Sequence, residues 1–298
     1  MLAASALIAH ATNLDLVVRH VLAGLGHGIH AGRERGAGVE FSEYRAYVPG
    51  DEWRRVDWKL LARADRYFVR EAERDSHVAV WLVLDATASM AEPSRAIDGL
   101  TKLQYARVLL ACVAAIAQRQ GDGFGLVVCR GERADFLPAA RGPRQLQRVL
   151  ARLSGVDADG VLPGAATLRA ALHFARAPGV VCLVSDFLDW PSALSEALLR
   201  LRRMRHDVRA LCLHTQAETE AAFDTAPSYR DPEHGGAVYR FGRDVQDAYA
   251  GNRAAHFDAV ARDCRRHDVP LVQARIEQAP GEVLRAWLRP RMAGARAA

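Results

Sequence analysis

The stretch that decides the fold is Val78-Ala-Val-Trp-Leu-Val-Leu84-Asp85-Ala86-Thr87-Ala88-Ser89-Met90, an apolar run that ends in one carboxylate and two hydroxyls at alternate positions. A continuously apolar run of this length is typical of a strand buried on both faces of a parallel sheet. In an open parallel sheet, ligands bind in the crevice beyond the carboxyl ends of the strands. Asp85, Thr87 and Ser89 are therefore predicted to lie at this crevice, and their small oxygen ligands indicate a site for a hard cation.

A second carboxylate is predicted from a neighbouring strand. The segment Val180-Val-Cys-Leu-Val-Ser185-Asp186 repeats the order of an apolar strand followed by an aspartate. Because parallel strands end at the same edge of a sheet, Asp186 is the natural partner of Asp85. Either aspartate could instead cap a helix or accept a hydrogen bond within a loop, and this structural alternative stays open.

From Val78 onward, stretches of strand length alternate with stretches of helical periodicity. This order predicts an α/β fold, with a doubly wound, mostly parallel sheet, helices on both faces and an antiparallel edge strand. The strands are predicted at residues 78–85, 123–129, 133–138, 180–185, 208–213 and 269–273, and the helices at 101–119, 143–153, 165–176, 192–205, 245–267 and 281–289. Residues 214–243 are predicted to form a long loop with one short strand at 237–241.

The chain before the sheet divides into two parts. Residues 13–25 carry apolar side chains at helical spacing, so residues 1–35 are predicted to form an amphipathic helix that docks on the protein, followed by a glycine-rich linker. Residues 36–76 are rich in Arg, Trp and Tyr and are predicted to pack on the core formed by residues 77–298, with a helix that Asp51 caps and an extended stretch at 66–73.

The bulk composition narrows the class of protein. The formal net charge of +5 over 298 residues is small and dispersed, which disfavours a nucleic-acid partner. The five cysteines are scattered singly, without the close pairs of a zinc site, and are predicted to be buried, reduced thiols. No stretch approaches the ~20 apolar residues of a membrane span, so the expected location is the cytoplasm.

The spacing Asp85-x-Thr87-x-Ser89 resembles the metal-ion-dependent adhesion site of von Willebrand factor A domains. The resemblance implies a von Willebrand factor A-like fold and a cofactor, Mg²⁺ or another divalent cation, held by these three residues and Asp186. That pattern also has a threonine in a Gly-Gly-Thr-x-Leu context. Here the segment reads Pro163-Gly164-Ala165-Ala166-Thr167-Leu168, so Ala166 takes the expected position. Thr167 is either a displaced ligand or the N-cap of the next helix.

The segment upstream of the sheet carries a more specific resemblance. Its features are Glu40-Phe41, Arg45, Tyr47, Pro49-Gly50-Asp51, Arg54, Asp57-Trp58-Lys59, Ala62-Arg63 and Val69-Arg70-Glu71. Followed by the strand and Asp85-x-Thr87-x-Ser89-Met90, they resemble family fifty-eight of the domains of unknown function (DUF58), over roughly residues 36–215. Such proteins are typically encoded beside MoxR-type AAA+ ATPases, so the resemblance implies a partner of that class. Many relatives carry N-terminal membrane helices; because this sequence lacks them, membrane attachment is not implied.

Two basic features each have two interpretations. The aromatic and basic side chains of residues 36–76 either fasten that segment to the sheet domain or form a partner surface, because Trp, Tyr and Arg are typical of binding hot spots. The basic run at residues 200–205 either is solvated at a helix C-terminus or binds phosphate or an acidic partner. The candidate partner-binding residues are Arg45, Tyr47, Asp51, Asp57, Trp58 and Arg63.

These observations favour a non-enzymatic protein-interaction module that works with a MoxR-type ATPase, or with a client protein, in protein assembly or maturation. The alternatives are a metal-dependent phosphoesterase or other hydrolase, and a nucleic-acid-binding protein. Against an enzyme, no histidine stands beside Asp85 or Asp186 in the sequence, and neither a nucleophile-elbow motif nor a phosphate-cradling Gly-x-x-x-x-Gly-Lys loop is present. Against nucleic acid, the charge is too small to neutralise many phosphates.

Overall fold

The computed structural model of the chain describes residues 8, 13–29, 43–46, 67–71, 79–173, 178–221, 228–230, 233, 238–240 and 243–289. They belong to two compact units, one of residues 1–28 and 78–298 and one of residues 29–77. The helices are α1 (Leu14–Ile29), α2 (Lys102–Gln120), α3 (Pro143–Ser154), α4 (Ala165–Ala171), α5 (Ala193–Arg203), α6 (Gln216–Glu220), α7 (Arg243–Arg266) and α8 (Pro280–Trp287). The strands are β1 (Glu43–Ala46), β2 (Phe68–Glu71), β3 (Ala79–Asp85), β4 (Gly123–Arg130), β5 (Arg133–Ala140), β6 (Val180–Ser185), β7 (Asp207–His214), β8 (Ser228–Arg230), β9 (Val238–Arg240) and β10 (Leu271–Arg275).

The larger unit is built on a six-stranded sheet with the order β10-β7-β6-β3-β4-β5. All neighbouring strands are parallel except β4 and β5, which are antiparallel. Counted along the chain from β3, this is the doubly wound order 3-2-1-4-5-6, which reverses between β3 and β6. The predicted doubly wound, mostly parallel sheet with an antiparallel edge strand is therefore confirmed.

Both faces of the sheet are covered by helices, which explains why its strands are continuously apolar. Alternate side chains of β3 enter two separate cores, Leu82 on one face and Val83 on the other. The Leu82 core contains buried residues of α1, α2, α3 and α8, and the Val83 core contains those of α4, α5 and α7. Burial of one such aliphatic side chain contributes about 2 kcal/mol, so the period-2 pattern fixes the register of the strand.

Helix α1 docks on the first of these cores, as predicted. Its side chains Val17, Val18, Val21 and Leu22 are buried with residues of α2 and α8, while Leu16 on the opposite face is 60% exposed. The side chain of Asn13 accepts a hydrogen bond from the Asp15 amide at 3.0 Å, which satisfies one amide of the first helical turn.

Outside the sheet, some elements differ from the prediction. Helix α4 ends at Ala171 rather than continuing as one helix to 176, and residues 174–177 lie outside the described ranges. The predicted strand at 237–241 is β9, and it pairs antiparallel with β8, which the sequence reading missed together with α6. Both lie in the segment predicted to be mostly loop.

The smaller unit contains the antiparallel pair β1 and β2. Strand β2 confirms the extended stretch predicted at 66–73, whereas β1 was not predicted. The predicted helix that follows Asp51 lies outside the described residues.

Two predictions from composition can be compared with the structure. All five cysteines are buried and unpaired, which confirms the expected core thiols. No helix within the described ranges has the length and apolarity needed to cross a bilayer.

Candidate functional site

The candidate site lies where the strand order reverses. Strands β3 and β6 are parallel neighbours with Leu84 opposite Val184, so both strands present their carboxyl ends to the same crevice. The next residues, Asp85 and Ser185, are joined by a hydrogen bond of 2.6 Å from Ser185 Oγ to Asp85 Oδ2. The reversal point of a doubly wound sheet is where such folds bind ligands, because the connections on either side leave it open.

The loop after β3 folds back on the carboxylate that ends the strand. Asp85 Oδ1 accepts hydrogen bonds from the Thr87 amide at 3.0 Å and from Thr87 Oγ1 at 2.8 Å. Thr87 Oγ1 lies 3.2 Å from Ser89 Oγ, at the start of a short 3-10 helix (Ala88–Ala91). The alternate spacing thus places all three side chains in one buried cluster.

Asp186 completes this cluster from the other strand. It is buried, its carboxylate accepts a hydrogen bond from the Leu188 amide at 3.4 Å, and the Ser89 side chain helps to lower its pKa. Ser185 Oγ also accepts a hydrogen bond from the Phe187 amide at 2.9 Å, which holds the turn that follows β6. The structure therefore brings Asp85, Thr87, Ser89 and Asp186 together in one cluster, and the cation that they would hold stays a prediction.

The structure adds a residue that the sequence reading missed. Lys102, the first residue of α2, is fully buried, and its Nζ lies 2.8 Å from Asp186 Oδ2 and 3.0 Å from Glu218 Oε1. Glu218 belongs to α6 and also accepts a hydrogen bond from the Thr215 amide at 2.7 Å. One signal was present: Lys102 and Lys59 are the only lysines in an arginine-rich chain.

The ion pair sets the electrostatics of the cluster. Burial by itself lowers the pKa of Lys102, but the carboxylates of Asp186 and Glu218 outweigh it and raise that pKa above its usual value. Burial by itself raises the pKa of Asp186, but the Lys102 ammonium lowers it below the usual value. For Asp85, burial and the charge of Asp186 together raise the pKa to about 7. The Lys102 ammonium thus pairs with two carboxylates, Asp186 and Glu218, whereas Asp85 accepts hydrogen bonds from Ser185 and Thr87 and forms no ion pair among the described residues.

The donor set fits a hard divalent cation. Two hydroxyls and two carboxylates converge, and a cation there would compensate the negative charge of ionised Asp85. Among the described residues, no three His, Cys, Asp or Glu side chains are grouped as a metal site, so the hydroxyls of Thr87 and Ser89 are needed to complete the ligands. A cation would share Asp186 with the ammonium of Lys102.

Thr167 does not join the cluster. It is the third residue of α4 and is exposed to solvent, whereas Asp85, Thr87, Ser89 and Asp186 are buried. The N-cap of α4 is Gly164, so the alternative in which Thr167 caps this helix was wrong. The helix begins earlier because Gly164 takes the extended N-cap conformation and alanines, which favour helix, follow it.

The predicted partner-binding residues belong to the smaller unit. Arg45 lies in β1, opposite Val69 of β2. The remaining five, Tyr47, Asp51, Asp57, Trp58 and Arg63, lie outside the described residues.

The fold and the site together define a doubly wound α/β protein with a buried polar cluster at its topological switch point. The chain belongs to the family described as "Protein of unknown function DUF58", whose sequence profile matches residues 43–259. This confirms the family resemblance found in the sequence.

Curated relatives and solved structures also resemble the chain, with sequence identities of 29% or less for those described next. An uncharacterized protein of Mycobacterium tuberculosis H37Rv and one of Mycobacterium bovis are each 29% identical over 274 residues, which is 89% of this chain and 83% of the relative. The crystal structure of the conserved hypothetical protein BatB from Bacteroides thetaiotaomicron covers 70% of this chain and 97% of its own, with 15% identity and a TM-score of 0.43. The VWA domain of SpRpn10 covers 70% and 93%, with 10% identity and a TM-score of 0.40.

Proposed function

We propose that this protein is a non-enzymatic interaction module that recognises a partner protein at the carboxyl edge of its sheet through a divalent cation such as Mg²⁺. The cation is held by Asp85, Thr87, Ser89 and Asp186. The observation that carries the proposal is the convergence of these four side chains at the switch point with a surplus of negative charge. Mg²⁺ retains several waters when few protein ligands hold it, so a carboxylate of a partner can replace one of them.

We assign the partner to the MoxR-type AAA+ ATPases, alone or with a client protein whose assembly or maturation the ATPase drives. Membership of the DUF58 family supports this assignment, because the family resemblance implies an ATPase of that class. A von Willebrand factor A-like recognition role is consistent with the switch-point position of the cluster.

The groups nearest to the cluster do not favour catalysis. Cys212 Sγ lies 3.4 Å from both the Asp186 carbonyl oxygen and His214 Nε2, which resembles a thiol and base pair. Burial, however, raises the pKa of the Cys212 thiol well above its usual range and lowers the pKa of His214 to about 4. A protonated, buried thiol is a poor nucleophile, so this pair is better explained as core packing.

The test is a pull-down of a MoxR-type AAA+ ATPase from the same organism with this protein as bait, with and without Mg²⁺ and ATP. Asp85→Asn removes a ligand with little change of shape, and Asp189→Asn is the matched control, because Asp189 is exposed three residues beyond Asp186. We expect Mg²⁺ binding by calorimetry and ATPase capture to be lost in Asp85→Asn and with chelator, and retained in Asp189→Asn.

The proposal fails if Asp85→Asn leaves both Mg²⁺ binding and ATPase capture unchanged. The same purified protein should be assayed against generic phosphoester substrates with Mg²⁺ or Mn²⁺. Metal-dependent turnover that Asp85→Asn abolishes would instead support the phosphoesterase alternative.

A further inference from the structure

A groove with a volume of about 300 Å³ lies between helices α4 and α5. The groove is lined by small apolar side chains and by arginines of both helices. The apolar side chains are Ala165 of α4 and Ala193 and Ala197 of α5. A second, smaller depression shares Arg169, Ala197 and Arg200 with it and extends it to Met204, which is 38% exposed. The two depressions therefore adjoin each other along the helix pair, and we treat them together as one groove.

The groove begins beside the carboxyl edge of the sheet. Helix α5 follows the turn after Asp186, and α4 follows a loop in which the Gly160 carbonyl accepts a hydrogen bond from Ala88 of the candidate site at 2.9 Å. Both helices lead back to the amino ends of the next strands, β6 and β7. A partner segment lying in this groove would point one end at the candidate cation site.

The groove carries a net positive charge, with three arginines and one glutamate in its lining. Arg169, Arg200 and Arg203 are exposed and form no ion pair within the part of the chain that the structure describes, and Glu196 is the acidic side chain that shares their groove. The neighbouring cation Arg202, by contrast, pairs with Asp268. Within the basic run at residues 200–205, Arg202 thus makes an internal ion pair, whereas Arg200 and Arg203 belong to the exposed lining of the groove.

We infer that this groove docks an acidic, amphipathic segment of a partner protein, with a small apolar face against the alanines and carboxylates opposite Arg169, Arg200 and Arg203. The alanines let a helical segment approach closely, because the interaxial distance of packed helices depends on the side chains at the contact. The charges supply orientation and a faster encounter. The inference rests on the proposed function only in assigning the segment to the same partner.

A nucleic acid fits the groove less well than an acidic peptide. Single strands bind where aromatic side chains stack on their bases, and the residues that line this groove include no Phe, Tyr or Trp, with His173 at the smaller depression as the aromatic ring among them. The apolar floor and Glu196 both oppose a continuous phosphate backbone, whereas an amphipathic peptide can place an apolar face on the floor and avoid Glu196.

The test uses a fluorescein-labelled peptide with an alanine and leucine face and glutamates elsewhere, measured by fluorescence anisotropy with the full-length protein in chelator. The α5 pair is the double variant Arg200→Glu and Arg203→Glu. Its control, the α3 pair, is the double variant Arg144→Glu and Arg148→Glu, which makes the same charge change at exposed positions of α3. Ala193→Phe fills the groove without changing its charge.

We expect the α5 pair to weaken peptide binding about tenfold or more, Ala193→Phe to weaken it as well, and the α3 pair to leave it within about twofold. Equal weakening by the α3 pair, or no binding by the wild type, overturns the inference. The inference is also overturned, in favour of nucleic acid, if a single-stranded oligonucleotide of equal charge binds more tightly than the peptide and displaces it.

The two proposals can fail separately. The peptide assay is run without metal and with Asp85→Asn, so its arginine dependence reports only on the groove. Dependence of ATPase capture on Asp85 reports on the cation site, whereas removal of Mg²⁺ also acts on the nucleotide of the ATPase. Capture that depends on Asp85 but not on Arg200 and Arg203 would leave the proposed function standing and remove the groove from it.

Discussion

The ammonium nitrogen of Lys102 lies 2.8 Å from Oδ2 of Asp186, and both side chains are buried. This pair joins the start of α2 to the residue after β6, so a permanent internal cation sits against the carboxylate that we assign to the cation site. Lys102 supplies one positive charge to the two carboxylates of Asp186 and Glu218 and forms no ion pair with Asp85 among the described residues. The protein itself therefore compensates only part of the negative charge of the site.

Replacing Lys102 tests this charge balance. Lys102→Met keeps most of the side-chain volume but leaves the buried Asp186 and the largely buried Glu218 without their cation, and we expect the free energy of unfolding to fall by about 3–5 kcal/mol. Excess Mg²⁺ should restore part of that loss, because a cation can take over Asp186. Urea unfolding with and without Mg²⁺ measures both effects.

The control is Arg119→Met, which removes an exposed cation from the other end of the same helix. It should change stability by less than about 0.5 kcal/mol. A Lys102→Met protein as stable as the wild type would show that the buried pair contributes nothing.

Asp85→Asn has an unusual expected effect on stability. Because burial and Asp186 raise the pKa of Asp85 to about 7, the ionised form is unfavourable in the fold at neutral pH. Asparagine can still accept from Thr87 with its carbonyl oxygen, and its amide can donate to Ser185 Oγ. We expect the metal-free variant to be as stable as the wild type or more stable at pH 8, and to lose the stabilisation by Mg²⁺.

The pH dependence of this difference has a definite sign. A carboxyl whose folded pKa lies above its unfolded value of 3.8 contributes stability that is complete below about pH 3.8 and is lost as pH rises through about 7. Relative to Asp85→Asn, the metal-free wild type should therefore gain about 1.4 kcal/mol per pH unit on acidification through this window. A flat difference between the two proteins by urea unfolding would contradict the shifted pKa.

The sequence could predict the sheet and the two aspartates for one physical reason. Strands buried on both faces must be apolar throughout, so β3 and β6 are visible without any structural information, and each is followed at once by its aspartate. Parallel strands end at one edge, which places Asp85 near Asp186 whatever the details of the loops.

Lys102 and Glu218 could not be predicted in the same way. A lysine at the start of a helix has the same local pattern whether it is solvated or buried, and its partners come from elements far away in the chain. Helix α6 is too short for helical periodicity to show, although Thr215-x-x-Glu218 is a capping box that marks its start. The part of the site that depends on long-range ion pairs is therefore visible only in the folded protein.

The N-terminal helix supplies a prediction about the core. Leu22 of α1 is buried against the core shared with α2 and α8, whereas Leu16 of the same helix is 60% exposed. We expect Leu22→Ala to lower the free energy of unfolding by about 2–5 kcal/mol and Leu16→Ala to change it by less than about 0.5 kcal/mol. Equal effects of the two substitutions in thermal or urea unfolding would show that α1 does not stabilise the sheet unit.

His214 gives a pH dependence opposite to that of Asp85. Burial and the nearby charge of Arg253 lower its pKa from 6.5 to about 4, so the folded protein keeps it neutral while the unfolded chain protonates it. Its contribution to stability is present above about pH 6.5 and is lost as pH falls towards 4, at about 1.4 kcal/mol per pH unit. His214→Gln removes the titrating group, so the wild type should lose stability relative to this variant between pH 6.5 and about 4. Urea unfolding at several pH values measures the difference in the free energy of unfolding, and a constant difference would mean that His214 titrates normally. Asp85→Asn and His214→Gln change the dependence of this free energy on pH in opposite directions. The two groups can therefore be separated even where the pH ranges over which they titrate overlap.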